Sequence, residues 1–91
     1  MKKIIKQKEI SLLTIKEIKT EFNLNEIDDS SFILDFRNVE MIDSEGISWV
    51  VSLINILDKK GIKFRIINVK KNVYEIFKIT MLDSILDIRL G

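Results

Sequence analysis

Apolar residues along this chain alternate between a two-residue and a 3.6-residue period, and the alternation predicts an α/β fold in which helices cover a mostly parallel sheet. Three observations carry the expectation. The run Phe32-Ile33-Leu34-Asp35-Phe36 places apolar residues on both faces of a strand, as a central strand of a covered sheet requires. A long helical segment follows from about Ser44 to Lys60 and stops at Gly61, a residue favoured where a chain leaves a helix with positive φ. A second strand-like run, Lys63-Phe64-Arg65-Ile66-Ile67, comes directly after. Strand, helix and strand in that order form a parallel crossover, which is right-handed in almost every fold.

The remaining elements fall around this unit. Ile4 and Ile5 lie in a short β-prone segment. Leu12, Ile15, Ile18 and Phe22 then recur at helical spacing, and Thr14 with Glu17 matches a capping box, so the first helix starts near Ser11 or near Thr14. The polar stretch Asp28-Asp29-Ser30-Ser31 is a turn leading into the first long strand. A third helix is expected from about Lys71 to Met81, and Ile85 to Leu90 is the expected last strand. No proline, repeat or low-complexity linker divides the chain, so residues 1–91 are read as one domain.

Composition removes whole classes of chemistry. The chain has no cysteine and no histidine, which excludes thiol nucleophiles, imidazole bases, disulfides and the usual zinc sites. Fifteen basic against fourteen acidic side chains leave a formal charge of +1, so no global field steers the molecule to nucleic acid or to an anionic membrane. The lysines at 2, 3, 6 and 8 and at 59, 60, 70 and 71 are separated by acids and lack interleaved aromatics, which argues against a nucleic-acid platform. The longest mainly apolar run, Ile47 to Leu57, is broken by Ser48, Ser52 and Asn55 and is shorter than the ~20 residues of a spanning helix. The basic start MKKIIKQKE has no sustained apolar segment or small-residue cleavage site. A cytoplasmic protein without cofactor, metal or membrane insertion is expected.

In parallel sheets, sites form beyond the carboxyl ends of the strands, and here that place is Asp43-Ser44-Glu45-Gly46. Asp43 and Ser44 are good helix N-caps, Glu45 suits a first helical turn, and Gly46 allows close backbone approach. Either the cluster only starts a helix, or it is the working part of the protein. Asp35 and Asp43 would make an acidic pair near Ser44 able to assist magnesium-dependent phosphoryl transfer by a bound kinase. On the plainer reading Asp43 is structural and Asp35 ends a strand. Without a base, metal cage or phosphate loop, two carboxylates make a poor catalytic site, and no enzyme is expected.

The second helix carries a wider apolar arc than one buried stripe needs. At 100° per residue, Ile47, Val50, Val51, Ile54 and Leu57 form a face suited to the sheet, and Trp49, Leu53 and Ile56 extend it to about 220°. The extra flank is either covered by a neighbouring helix or presented to a partner, with Trp49 as its anchor and Leu53 beside it.

These segments resemble a known family. "SFILDFRNVEMIDSEGISWVV" looks like the central signature of STAS domains, the small regulatory fold of bacterial anti-sigma-factor antagonists and of the cytoplasmic tails of anion transporters. The likeness lies in an apolar strand ending near Asp35, then Val39, Ile42-Asp43-Ser44, and Gly46 ahead of an apolar helix. "INVKKNVYEIFKITMLDSIL" resembles the family's second segment, with Asn68 after a strand, Val73, Ile76 and Phe77 on a helix, then Thr80, Leu82-Asp83 and Ile85.

The resemblance implies about four strands in a mostly parallel or mixed sheet, with helices mainly on one side. It places Ser44 at the serine that partner kinases phosphorylate in the antagonists. There, the unphosphorylated antagonist binds an anti-sigma factor that is also its kinase, and phosphorylation breaks the complex. Partner contact would then run through Asp43, Ser44, Glu45, Gly46, Trp49 and Leu53. Other single-domain relatives are small subunits that bind the ATPase of a lipid-transporting ABC system, which is the alternative function.

Three positions depart from the family pattern. Glu45 stands where antagonists carry Ser, Thr or Gly; Met81 stands where a Gly is usual; and Lys8 lies near an expected Gly in a short N-terminal region. Glu45 matters most, because a permanent charge beside Ser44 imitates the phosphorylated state. Repulsion between it and a phosphate roughly 6 Å away in water is on the order of 1 kcal/mol, which does not forbid phosphorylation.

Overall fold

In the computed structural model, which describes residues 1–91, the chain folds as β1 (Lys2–Ile4), β2 (Glu9–Ile10), α1 (Ile15–Thr20), β3 (Ser31–Asp35), β4 (Met41–Ile42), α2 (Ser44–Lys59), β5 (Lys63–Val69), α3 (Lys71–Ile79) and β6 (Asp87–Leu90). The expected α/β class and four-stranded sheet are present. Strands β1, β3, β5 and β6 lie side by side in that order and all run parallel. Each crossover therefore steps the same way across the sheet. With the usual right hand, such a progression puts α1, α2 and α3 on one face.

Burial follows this layering. In register across the sheet, Phe32 pairs with Phe64, and Leu34 with Ile66 and then Ile88. Phe32, Leu34 and Ile66 are fully buried and Ile88 nearly so, as the helix-covered face demands. The alternate row, Ile33, Arg65 and Asp87, points to the opposite face, where Arg65 Nε lies 2.9 Å from Asp87. No helix is long and apolar enough to cross a membrane.

Several boundaries differ from expectation for local reasons. The Thr14–Glu17 capping box does not form. The Thr14 hydroxyl donates to the Glu9 carbonyl and accepts from Ser11 N–H instead; α1 still takes the later of the two expected starts, with Thr14 at its N-cap position and Ile15 its first residue, which leaves Leu12 outside it, exposed. The last helix ends at Ile79 because Leu82–Ser84 winds into a 3₁₀ turn, which also delays the last strand to Asp87. The pair β2–β4, two residues each, leaves no mark in the sequence because so short a ladder has no periodicity. Gly61 leaves α2 with φ +70°, as expected.

The buried stripe of α2 also differs. Trp49, Val50, Leu53 and Leu57 face inward, whereas Val51 is exposed and Ile47 and Ile54 are half-buried. The stripe is rotated by roughly 80° from the expected face at 100° per residue. Phe22, just beyond α1, explains the turn. Its ring meets Trp49 edge to face at 5.4 Å and Phe32 at 5.9 Å, so α1 and the loop after it cover the flank that composition left open.

Candidate functional site

Chain direction changes where β4 meets α2, and Asp43 controls the change. Its backbone is extended, its N–H donates to the Ile10 carbonyl, and its carboxylate caps the helix: Oδ1 accepts from Gly46 N–H at 3.0 Å. Oδ2 accepts from Leu12 N–H, also at 3.0 Å. One side chain thus fixes both the start of α2 and the loop between β2 and α1. The donated N–H groups of Leu12 and Gly46 hold the Asp43 carboxyl below the usual carboxylate range.

Gly46 has a different task. A Cβ there would meet the Ile10 carbonyl oxygen at 2.3 Å and Ile42 Cγ1 at 2.6 Å. The first turn of α2 packs directly on β2 and β4, and only glycine permits it. Gly46 is buried and cannot serve as a contact surface.

Ser44 and Glu45 are exposed on the first turn of α2. Of the two residues suited to the N-cap, Asp43 supplies it, and the Ser44 hydroxyl is free of that task. Leu12 and Leu13, 69% and 86% exposed, stand on the loop that Asp43 holds against this turn. The sequence hides them: Leu12 falls at the helical spacing of Ile15, Ile18 and Phe22, and Leu13 belongs to no period.

Trp49 and Leu53 are not surface anchors. They are 6% and 1% exposed and belong to the core that packs under Phe22. Of the expected contact residues, the structure therefore brings Asp43, Ser44 and Glu45 to one accessible turn, and gives Gly46, Trp49 and Leu53 packing positions.

Asp35 and Asp43 are each committed elsewhere and do not form a catalytic pair. Asp35 is fully buried at the end of β3. Its Oδ1 accepts from Arg37 N–H at 2.9 Å; its Oδ2 accepts from Arg37 Nη2 at 2.6 Å, from Arg37 Nε at 3.1 Å and from Asn68 Nδ2 at 3.0 Å, with Lys2 Nζ at 3.6 Å. Burial pushes this carboxyl up, but the Arg37 and Asn68 hydrogen bonds outweigh it and hold it at about 2. Asn68 reaches Asp35 from a left-handed backbone, φ 56°, a conformation that asparagine tolerates. No cluster of three or more acidic, histidine or cysteine side chains is placed to hold a metal.

The fold is shared with solved structures. A sulfate transporter family protein from Wolinella succinogenes superposes with a TM-score of 0.76 at 19% identity, over 97% of this chain and 75% of that one. No curated protein sequence matches the chain. A family model for the STAS domain matches residues 4–90, nearly the whole length, and includes the Asp35, Ser44 and Asn68 positions. The chain belongs to the STAS domain family.

Proposed function

We propose that the chain is a non-enzymatic regulatory binding module of the cytoplasm, an anti-sigma-factor antagonist or related partner-switching protein, in which the Ser44 turn contacts an anti-sigma-factor kinase and phosphorylation of Ser44 ends the contact. Membership of the STAS family supports a protein-interaction role. The single observation that carries the finer reading is the exposed Ser44 on the first turn of α2, with capping assigned to Asp43. Its hydroxyl can accept a phosphate without the helix losing its cap.

Physical chemistry locates the effect of such a phosphate. A phosphoserine adds about −1.5 to −2 charges, and a helix N-terminus stabilises a nearby anion by about 0.3–1 kcal/mol. The fold therefore tolerates the modification. A partner seated over Ser44, Glu45, Leu12 and Leu13 does not, because binding removes water from the new charge.

Glu45 favours a second reading, in which the turn is a fixed contact surface for the ATPase of a lipid-transporting ABC system and is never phosphorylated. Mass spectrometry of the protein recovered from its source organism across growth conditions separates the two. The switch reading expects phosphate on Ser44. Absence of phosphate in every condition, together with loss of the natural partner in Ser44→Asp, selects the fixed surface.

A further inference from the structure

We propose that the groove between the end of α1 and the middle of α2 binds a small carboxylate with an apolar, aromatic body. The groove has a volume of about 400 Å³, within the range of small-ligand sites. Trp49 and Leu53 form its floor, and Phe22, Leu24 and Ile56 its apolar walls. The floor is buried and fixed by the core, while Ile56, 38% exposed, carries apolar surface to the mouth. Phe22 and Trp49 meet at an interplanar angle of 80°, and such an aromatic corner suits a flat apolar group.

Charge selects the head group. Lys19 is the one charged side chain lining the groove. Two further ammonium groups bear on its walls: Lys60 Nζ rests 2.9 Å from the Leu24 carbonyl, and Lys3 Nζ lies 5.7 Å from the Phe22 ring centroid. At the rim, the side-chain oxygen of Asn23 is occupied by the Asn25 N–H, which leaves its amide NH₂ as a donor. A lining ammonium, two more against the wall residues and an amide donor, with no carboxylate in the lining, complement an anion and repel a cation. The site lies two turns along α2 from Ser44 and stands independently of the switch reading.

Three probes of one shape test the proposal: 4-phenylbutyrate, 4-phenylbutanol and 4-phenylbutylamine. Binding is followed by the fluorescence of Trp49, the single tryptophan, and by amide NMR shifts. The carboxylate should bind saturably, with shifts concentrated at residues 19–25 and 49–56. The alcohol should bind about two- to fivefold more weakly, the worth of one exposed ion pair, and the amine more weakly still. Lys19→Gln should remove the advantage of the carboxylate over the alcohol, and Ile56→Glu, at a surface position, should abolish carboxylate binding. Equal binding of the three probes, no saturable change, or shifts outside the groove would overturn the proposal.

Discussion

Replacing Asp35 by Asn should turn a strongly acid-dependent protein into a less stable but less acid-dependent one. The substitution keeps shape and volume but removes the charge that Arg37 grips from both backbone and guanidinium, with Asn68 and Lys2 beside it. The folded carboxyl sits at about 2 against an ordinary 3.8, and at roughly 1.4 kcal/mol per pH unit this corresponds to about 2–3 kcal/mol of stability. Because the folded value is the depressed one, that stability is fully present above pH 4 and is lost as pH falls toward 2. Urea unfolding of both proteins at pH 7, 4, 3 and 2.5 measures it. At pH 7 the variant should be weaker by about 2–3 kcal/mol, roughly 10–20 °C in Tm for a domain of this size. The gap should then narrow below pH 4. A gap that stays constant from pH 7 to 2.5, or no gap at pH 7, would refute the assignment of this carboxylate as the charged centre of the network.

Three further substitutions probe backbone strain and packing. Met81 adopts φ 62°, a left-handed conformation that costs a side chain about 1–2 kcal/mol; Met81→Gly should therefore raise stability by about 0.5–1 kcal/mol, read as a higher urea midpoint at unchanged slope. Gly46→Ala drives a Cβ into the Ile10 carbonyl and should cost about 1–3 kcal/mol of overpacking, with a drop in Tm and no gain of helix by circular dichroism. Trp49→Ala should destabilise by about 3–5 kcal/mol, because Trp49 packs against Phe22 inside the core; a Tm within a few degrees of the parent would return it to the surface role.

Legibility in the sequence followed the range of the interactions. Strand β3, helix α2 and strand β5 were readable because each is long enough to show its own period, and Gly61 marks a stop by its backbone freedom alone. The facing of α2 was not, since nothing local says that Phe22, more than twenty residues earlier, covers the Trp49 flank. The same holds for Asp43. Its suitability as a cap is visible in one residue, but the bond from Leu12 N–H, which fixes the exposed Leu12–Leu13 loop beside Ser44, joins positions 31 apart. Met81 was visible as a departure from a family glycine, and the left-handed φ supplies its meaning: the position asks for glycine, and this chain accepts strain there.

The most direct test of the account is the affinity of the natural partner, once copurified from the source organism, for three forms of the protein: unmodified, Ser44→Ala and Ser44→Asp. Ser44 is exposed and Asp43 holds the helix cap, so all three should share one fold and melt together within about 0.5 kcal/mol of one another, as surface substitutions do. Ser44→Ala should bind like the unmodified protein and Ser44→Asp at least about tenfold more weakly, a difference of about 1.4 kcal/mol at the contact. Equal affinity of the three forms, with the fold intact, would show that the partner does not read this turn and would contradict the assignment of Ser44.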